Sequence, residues 1–266
     1  MNRRILFILL YTIIAITGCN NNSNNEDETN SSTPENKLRE NASKYPDSLL
    51  LKEELIQYFR DNGDYGQAIA EAETALKKDP SNDRLWDIKA TLHFENADTI
   101  HAIESFEKAI SLNPKPGYIL SLGSLYAQTK NPRALSLADA LLQAPSATAQ
   151  KEATFIKGLY YGYTGDKIKA ISFFDRCLSI DFRDVLAYRE KAICLYDLGK
   201  YTEALAVLEK AIAVQNTFDE GYYWMGRCYQ KLNRNKEAIA SYQQAIQIDP
   251  EYVEARDALN KMGVKL

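Results

Sequence analysis

The stretch "YDLGKYTEALAVLEKAIAVQN", residues 196–216, reads as two amphipathic helical halves broken at "LGKY". It carries no side chain with obvious chemistry, but it places small residues at fixed intervals: Ala204 and Ala211, with Leu208 between them. The same ladder recurs as Ala68/Ala72/Ala75, Ala102/Phe106/Ala109, Ala170/Phe174/Cys177 and Ala238/Tyr242/Ala245. Its leading alanines are 34 residues apart from 68 to 102, from 170 to 204 and from 204 to 238. The 68-residue gap between 102 and 170 holds one further unit, Ala134/Ala138/Leu141, shifted by two residues. Pro46, Pro80, Pro114 and Pro250 keep the same phase. Upstream of the ladders, "LGSLY" (122–126), "KGLYY" (157–161) and "MGRCY" (225–229) each place a Gly three residues before a Tyr. Ala90 with His93 and Ala192 with Leu195 stand in the same register.

A period of 34 with L-G-x2-Y, then A-x3-F, then Pro resembles the tetratricopeptide repeat family. The resemblance covers six repeats over about 49–252 and implies an all-α, right-handed α-solenoid of helix-turn-helix units. Gly or Ala in the first helix and the alanines of the second let the paired helices approach closely, and an aromatic ring fills the remaining space. A single hairpin cannot bury its apolar face, so each unit needs its neighbour. Most of 196–216 is therefore packing surface, and function is to be sought elsewhere.

The start of the chain is of another kind. "MNRRILFILLYTIIAITGC" has Arg3 and Arg4, an apolar run from Ile5 to Ile16 and a small-residue stop, the layout of a secretory signal peptide over 1–18. Ile16-Thr17-Gly18-Cys19 resembles the lipobox of bacterial lipoproteins, which implies cleavage before Cys19 and its acylation. One acyl chain binds a membrane marginally, so the diacyl or triacyl modification implied by that resemblance is what stable anchoring needs. Residues 19–46 begin with "NNNSNNEDETNSSTPENK", which has too little apolar surface to order itself, and they are expected to form a flexible tether. Asn20 is not the Asp that retains lipoproteins at the inner membrane, so the resemblance implies the outer membrane, on either face. The acidic "EDE" at 26–28 is similar to the export signal of surface lipoproteins.

Loss of Arg3 and Arg4 with the signal takes the formal charge from −4 to −6. An acidic body without a Lys/Arg run argues against nucleic acid as a partner. His93 and His101 are the only histidines; neither has a Cys or second His at ligand spacing, and no metal or cofactor is expected. Phosphate loops, nucleophile elbows and metalloprotease motifs are absent, so the chain does not read as an enzyme. Cys177, Cys194 and Cys228 take small apolar positions and are expected to be buried thiols, with a Cys177–Cys194 pair left open.

The family's geometry directs certain first-helix positions into a concave groove, which the resemblance makes the partner-binding surface. In repeats one and two these include Glu53, Gln57, Arg60, Asp61, Arg84, Asp87, Phe94 and Glu95. The Lys/Asn/Arg clamp of chaperone-binding members is missing, since its positions read Glu53, Gln57, Asp87 and Thr91. Repeats four to six offer Phe155, Tyr163, Arg189, Tyr196, Tyr223 and Arg227, aromatic and Arg types that are enriched at binding hot spots. Arg189 and Arg227 are expected to meet an acidic group or C-terminal carboxylate on a peptide or helix of an envelope protein. The function implied is a membrane-anchored scaffold; the alternative is a surface accessory protein that captures glycans or nutrients on the same aromatic rings. "KNPRA" and "QAPSATAQ" depart from the pattern, and 143–150 is expected to be either a looser joint or an ordinary insertion. The last segment, 253–266, is expected to be a capping helix with charges outward.

Overall fold

The structure, a computed structural model, describes residues 33–143 and 146–265, all in helices and their connections. These residues fall into two compact units divided between Asn113 and Pro114. The first contains α1 (Pro34–Lys44), α2 (Leu49–Asp61), α3 (Tyr65–Lys78), α4 (Asp83–Glu95) and α5 (Thr99–Leu112). The second contains α6 (Pro116–Gln128), α7 (Arg133–Leu141), α8 (Ala147–Thr164), α9 (Lys167–Ile180), α10 (Val185–Asp197), α11 (Tyr201–Val214), α12 (Asp219–Lys231), α13 (Asn235–Ile248) and α14 (Val253–Lys261). Helices pair as α2/α3, α4/α5, α6/α7, α8/α9, α10/α11 and α12/α13, and within each unit each pair packs on the next.

The ladder residues are the reason for this stacking. In all six second helices, from Ala68/Ala72/Ala75 to Ala238/Tyr242/Ala245, each ladder position is at most 4% exposed. The turns obey the same period. Gly63, Ala97, Gly165, Gly199 and Asn233, 34 or 68 residues apart, all have φ between 58° and 103°, and Lys130 holds this role in the shortened third turn. Asp64, Asp98 and Asp166 follow as N-caps, their carboxylates accepting from the backbone N–H three residues on.

One feature differs from the sequence-based expectation. Residues 34–44, assigned to the tether, form α1: Thr33 caps it, Pro34 opens it, and Leu38 and Ala42 pack on the core of α2 and α3. Arg39 ties it down by an ion pair to Glu71 on α3 at 2.7 Å. Periodicity over so short a polar helix is too weak to announce it. The division between the units lies at Asn113/Pro114, outside the unusual third repeat. Ser146 caps α8, and residues from Ala147 onward are already helical, so the extra residues lengthen α8 to 18.

The glycines of the first helices test the packing argument. A Cβ on Gly158 would stand 2.6 Å from Cε1 of Phe174, a ring 1% exposed with no room to retreat. On Gly162, one turn later in α8, the nearest atoms would be Cys194 Sγ at 3.6 Å and Ala170 Cβ at 3.7 Å, ordinary contacts. Overpacking costs about 1–3 kcal/mol, while Gly→Ala in a helix gains about 1 kcal/mol. Gly158→Ala should therefore destabilise, and Gly162→Ala should stabilise by about 1 kcal/mol. A Gly158→Ala denaturant midpoint at or above that of the wild type would refute the close-approach role of Gly158.

Candidate partner-binding face

Inward positions of neighbouring first helices contact one another between α2 and α4 and between α10 and α12. In the N-terminal unit this face is self-neutralised. Arg84 of α4 binds Glu53 of α2 at 2.7 Å, Arg60 of α2 grips both carboxylate oxygens of Glu95 of α4, and Gln57 donates to Asp61 at 2.6 Å. The two Arg–Glu pairs brace one repeat against the next, and the Gln57–Asp61 bond lies within α2.

In the C-terminal unit the predicted residues separate into two groups. Arg189 of α10 is 6% exposed; its guanidinium holds Glu190 at 3.0 Å and also pairs with Glu220 of α12. Burial alone would lower its pKa, but the Glu220 and Glu190 carboxylates reverse that and raise it, so the side chain is held charged inside the protein. Arg189 is therefore a structural ion and not the receptor for an acidic partner that its groove position suggested. Phe155 is corrected likewise: at 9% exposure it packs edge-on against Phe174 and lies in the core. Tyr163, on the last turn of α8, stays half-buried.

The second group converges. Tyr196 of α10 and Tyr223, Trp224 and Arg227 of α12 form one half-buried cluster. The Arg227 guanidinium carbon lies 5.2 Å from the ring centroids of Tyr196 and Trp224 and 5.8 Å from that of Tyr223. It donates to the Tyr223 hydroxyl at 3.0 Å and the Tyr196 hydroxyl at 3.3 Å. Three ring faces and two phenol oxygens thus orient a cation, and among the described residues it has no carboxylate partner. Burial would lower the Arg227 pKa, yet the tyrosine hydroxyls raise it, so it remains a cation. The rings meet nearly edge to face, at 72° for Tyr196–Trp224 and 74° for Tyr223–Trp224, which is not the co-planar platform that stacks a sugar. Trp224 escaped the positional reading because it sits between two inward positions; its size lets it reach the cluster from the side. Cys177 and Cys194 form no disulfide and are buried as thiols, as is Cys228.

Comparison with known proteins agrees with this architecture. Residues 54–117 and 220–252 match the family described as Tetratricopeptide repeat, and 194–233 match TPR repeat. Residues 127–211 match the family described as Anaphase-promoting complex, cyclosome, subunit 3. Stress-induced-phosphoprotein 1 of Caenorhabditis elegans is 21% identical over 248 residues, 80% of this chain and 77% of that protein. The Hsp70-Hsp90 organizing protein of Triticum aestivum is 25% identical over 195 residues, 73% of this chain and only 30% of that longer protein. The crystal structure of a tetratricopeptide repeat protein from Parabacteroides merdae superposes with a TM-score of 0.70 at 20% identity, covering 85% of this chain and 90% of the other. With six helix pairs on a 34-residue period, two in the first unit and four in the second, and these matches, the chain belongs to the tetratricopeptide repeat family.

Proposed function

We propose that this protein is a lipid-anchored adaptor of the bacterial envelope whose last repeats hold a carboxylate-bearing segment of a protein partner. The observation that carries the binding half is Arg227: a cation fixed by Tyr196, Tyr223 and Trp224, with two of its five N–H donors used on neutral phenols. An oriented guanidinium flanked by aromatic area is suited to a carboxylate next to apolar side chains, and it loses little entropy on binding. The similar Hsp70-Hsp90 organizing protein is named for organizing two other proteins, which is in keeping with an adaptor. The anchoring half rests on the signal-like start and Cys19, which lie outside the described residues. No described helix is long and apolar enough to cross a membrane.

Two experiments test the two halves separately. A photoreactive residue at Lys231, exposed at the end of α12, should give one dominant protein adduct in cells. Arg227→Gln should reduce that adduct about tenfold or more, since a charge-assisted hydrogen bond contributes about 1.5–3 kcal/mol. An adduct indifferent to Arg227→Gln would refute the carboxylate reading. For the anchor, Cys19→Ser should release the protein from the membrane fraction, and intact mass should show acyl chains on Cys19 of the wild type. An unacylated Cys19 would remove that half.

A further inference from the structure

The two histidines and an aspartate meet at the turn between α4 and α5. His93 lies in the last turn of α4, Asp98 is the N-cap of α5, and His101 lies in the first turn of α5. Both imidazole Nδ1 atoms approach the same oxygen, Asp98 Oδ2, at 3.2 Å from His93 and 2.7 Å from His101. The rings stack at 5.2 Å between centroids, and the three donor atoms all lie within 4.8 Å of one another. Donors bound to one tetrahedral zinc at about 2.0–2.1 Å stand roughly 3.3 Å apart. Reaching that spacing draws the donors closer together, and the His101 side chain, 59% exposed, is the one with room to move.

We propose that His93, Asp98 and His101 form a three-ligand site for a zinc-class divalent cation that clips the end of α4 to the start of α5. Two imidazoles and one carboxylate favour zinc and its neighbours over magnesium or calcium, which take oxygen ligands. Three protein ligands leave one tetrahedral position for water or an outside ligand. His93 faces the cluster through Nδ1, 3.2 Å from Asp98 Oδ2, and its Nε2 is buried with no hydrogen-bond partner. Lys89, one turn before His93, is ion-paired with Glu73 on α3 at 2.8 Å. The sequence spacing His-x4-Asp-x2-His gives no motif of its own; only the turn brings the carboxylate between the rings. This proposal is independent of the groove in the C-terminal unit.

The test is titration of the untagged full chain with zinc chloride. Since the chain has only two histidines, their ring-proton resonances report the site directly. Both should shift and saturate together at one zinc per chain, and magnesium chloride should move neither. His101→Ala and Asp98→Asn should each weaken zinc binding by about tenfold or more, the least expected from loss of a ligand. Neither variant is expected to unfold the turn, because the His101 side chain is 59% exposed and Asn keeps the N-cap acceptor. Zinc should also raise the melting temperature of the wild type and not of His101→Ala. If zinc leaves both histidine signals unmoved, or the variants bind as tightly as the wild type, Asp98 merely accepts two imidazole hydrogen bonds and the proposal fails.

Discussion

Arg189→Met should lower the stability of the C-terminal unit by about 3–5 kcal/mol, the range for removing one partner from a buried ion cluster. The side chain is 6% exposed and supplies the positive charge between Glu190 and Glu220, themselves nearly buried. Without it, the Glu190 and Glu220 carboxylates lose the cation they share, and they must take up protons or open the packing of α10 against α12. Replacing the whole cluster, as in Arg189→Met/Glu190→Gln/Glu220→Leu, should recover most of that loss, because no buried charge is left behind. Trp86 and Trp224 make the measurement practical, since one indole lies in each unit and Trp86→Phe isolates the other. Denaturant unfolding followed at Trp224 should show the single replacement below the triple one. A cost under about 1 kcal/mol would mean that water reaches the cluster and that it is an ordinary surface pair. Charge reversal at this position therefore cannot probe partner binding, because it would unfold the repeat first.

The contrast between Arg189 and Arg227 shows how far the sequence could be read. The period of 34, the ladder alanines and the Gly-to-Tyr spacing depend on local packing, which repeats identically in each hairpin, so the helix pairs were legible in full. Helix α1 was not: its eleven residues are mostly polar, and it is held by Leu38, Ala42 and the Arg39–Glu71 ion pair, contacts that no periodicity reports. Groove position says which way a first helix faces, and Arg189 and Arg227 both qualify. It does not say whether the next repeat supplies a counter-ion. Glu220, 31 residues after Arg189, reaches back to neutralise it; 31 residues before Arg227 the chain has Tyr196 instead, which orients the cation without cancelling it. The same logic explains the polar first repeats, where Glu53 and Arg84 are again 31 apart and bind each other. Pairing between successive first helices is thus a second pattern laid over the packing period, and it becomes readable only once the repeats are stacked.

Native Cys177 and Cys228 should be alkylated about a thousandfold more slowly than cysteines in the unfolded chain at pH 8. Burial pushes both thiols up from 9.0 to about 12, which cuts the reactive thiolate fraction by about that factor. The same groups bear on stability. A proton held more tightly in the folded state is lost first by the unfolded chain, so their contribution is fully present below pH 9 and disappears as pH rises through about 12. Burial raises Tyr242 and Tyr252 in the same direction. All four groups lie in the C-terminal unit, so alkali should weaken that unit before the other. Between pH 9 and 12 the denaturation midpoint followed at Trp224 should therefore fall ahead of that followed at Trp86. Iodoacetamide labelling with peptide mass spectrometry resolves the two cysteines, in native buffer and in urea. Equal rates in the two conditions would show that the thiols are reached without unfolding, and the packing of the fourth and sixth repeats would then be looser than their ladder residues imply.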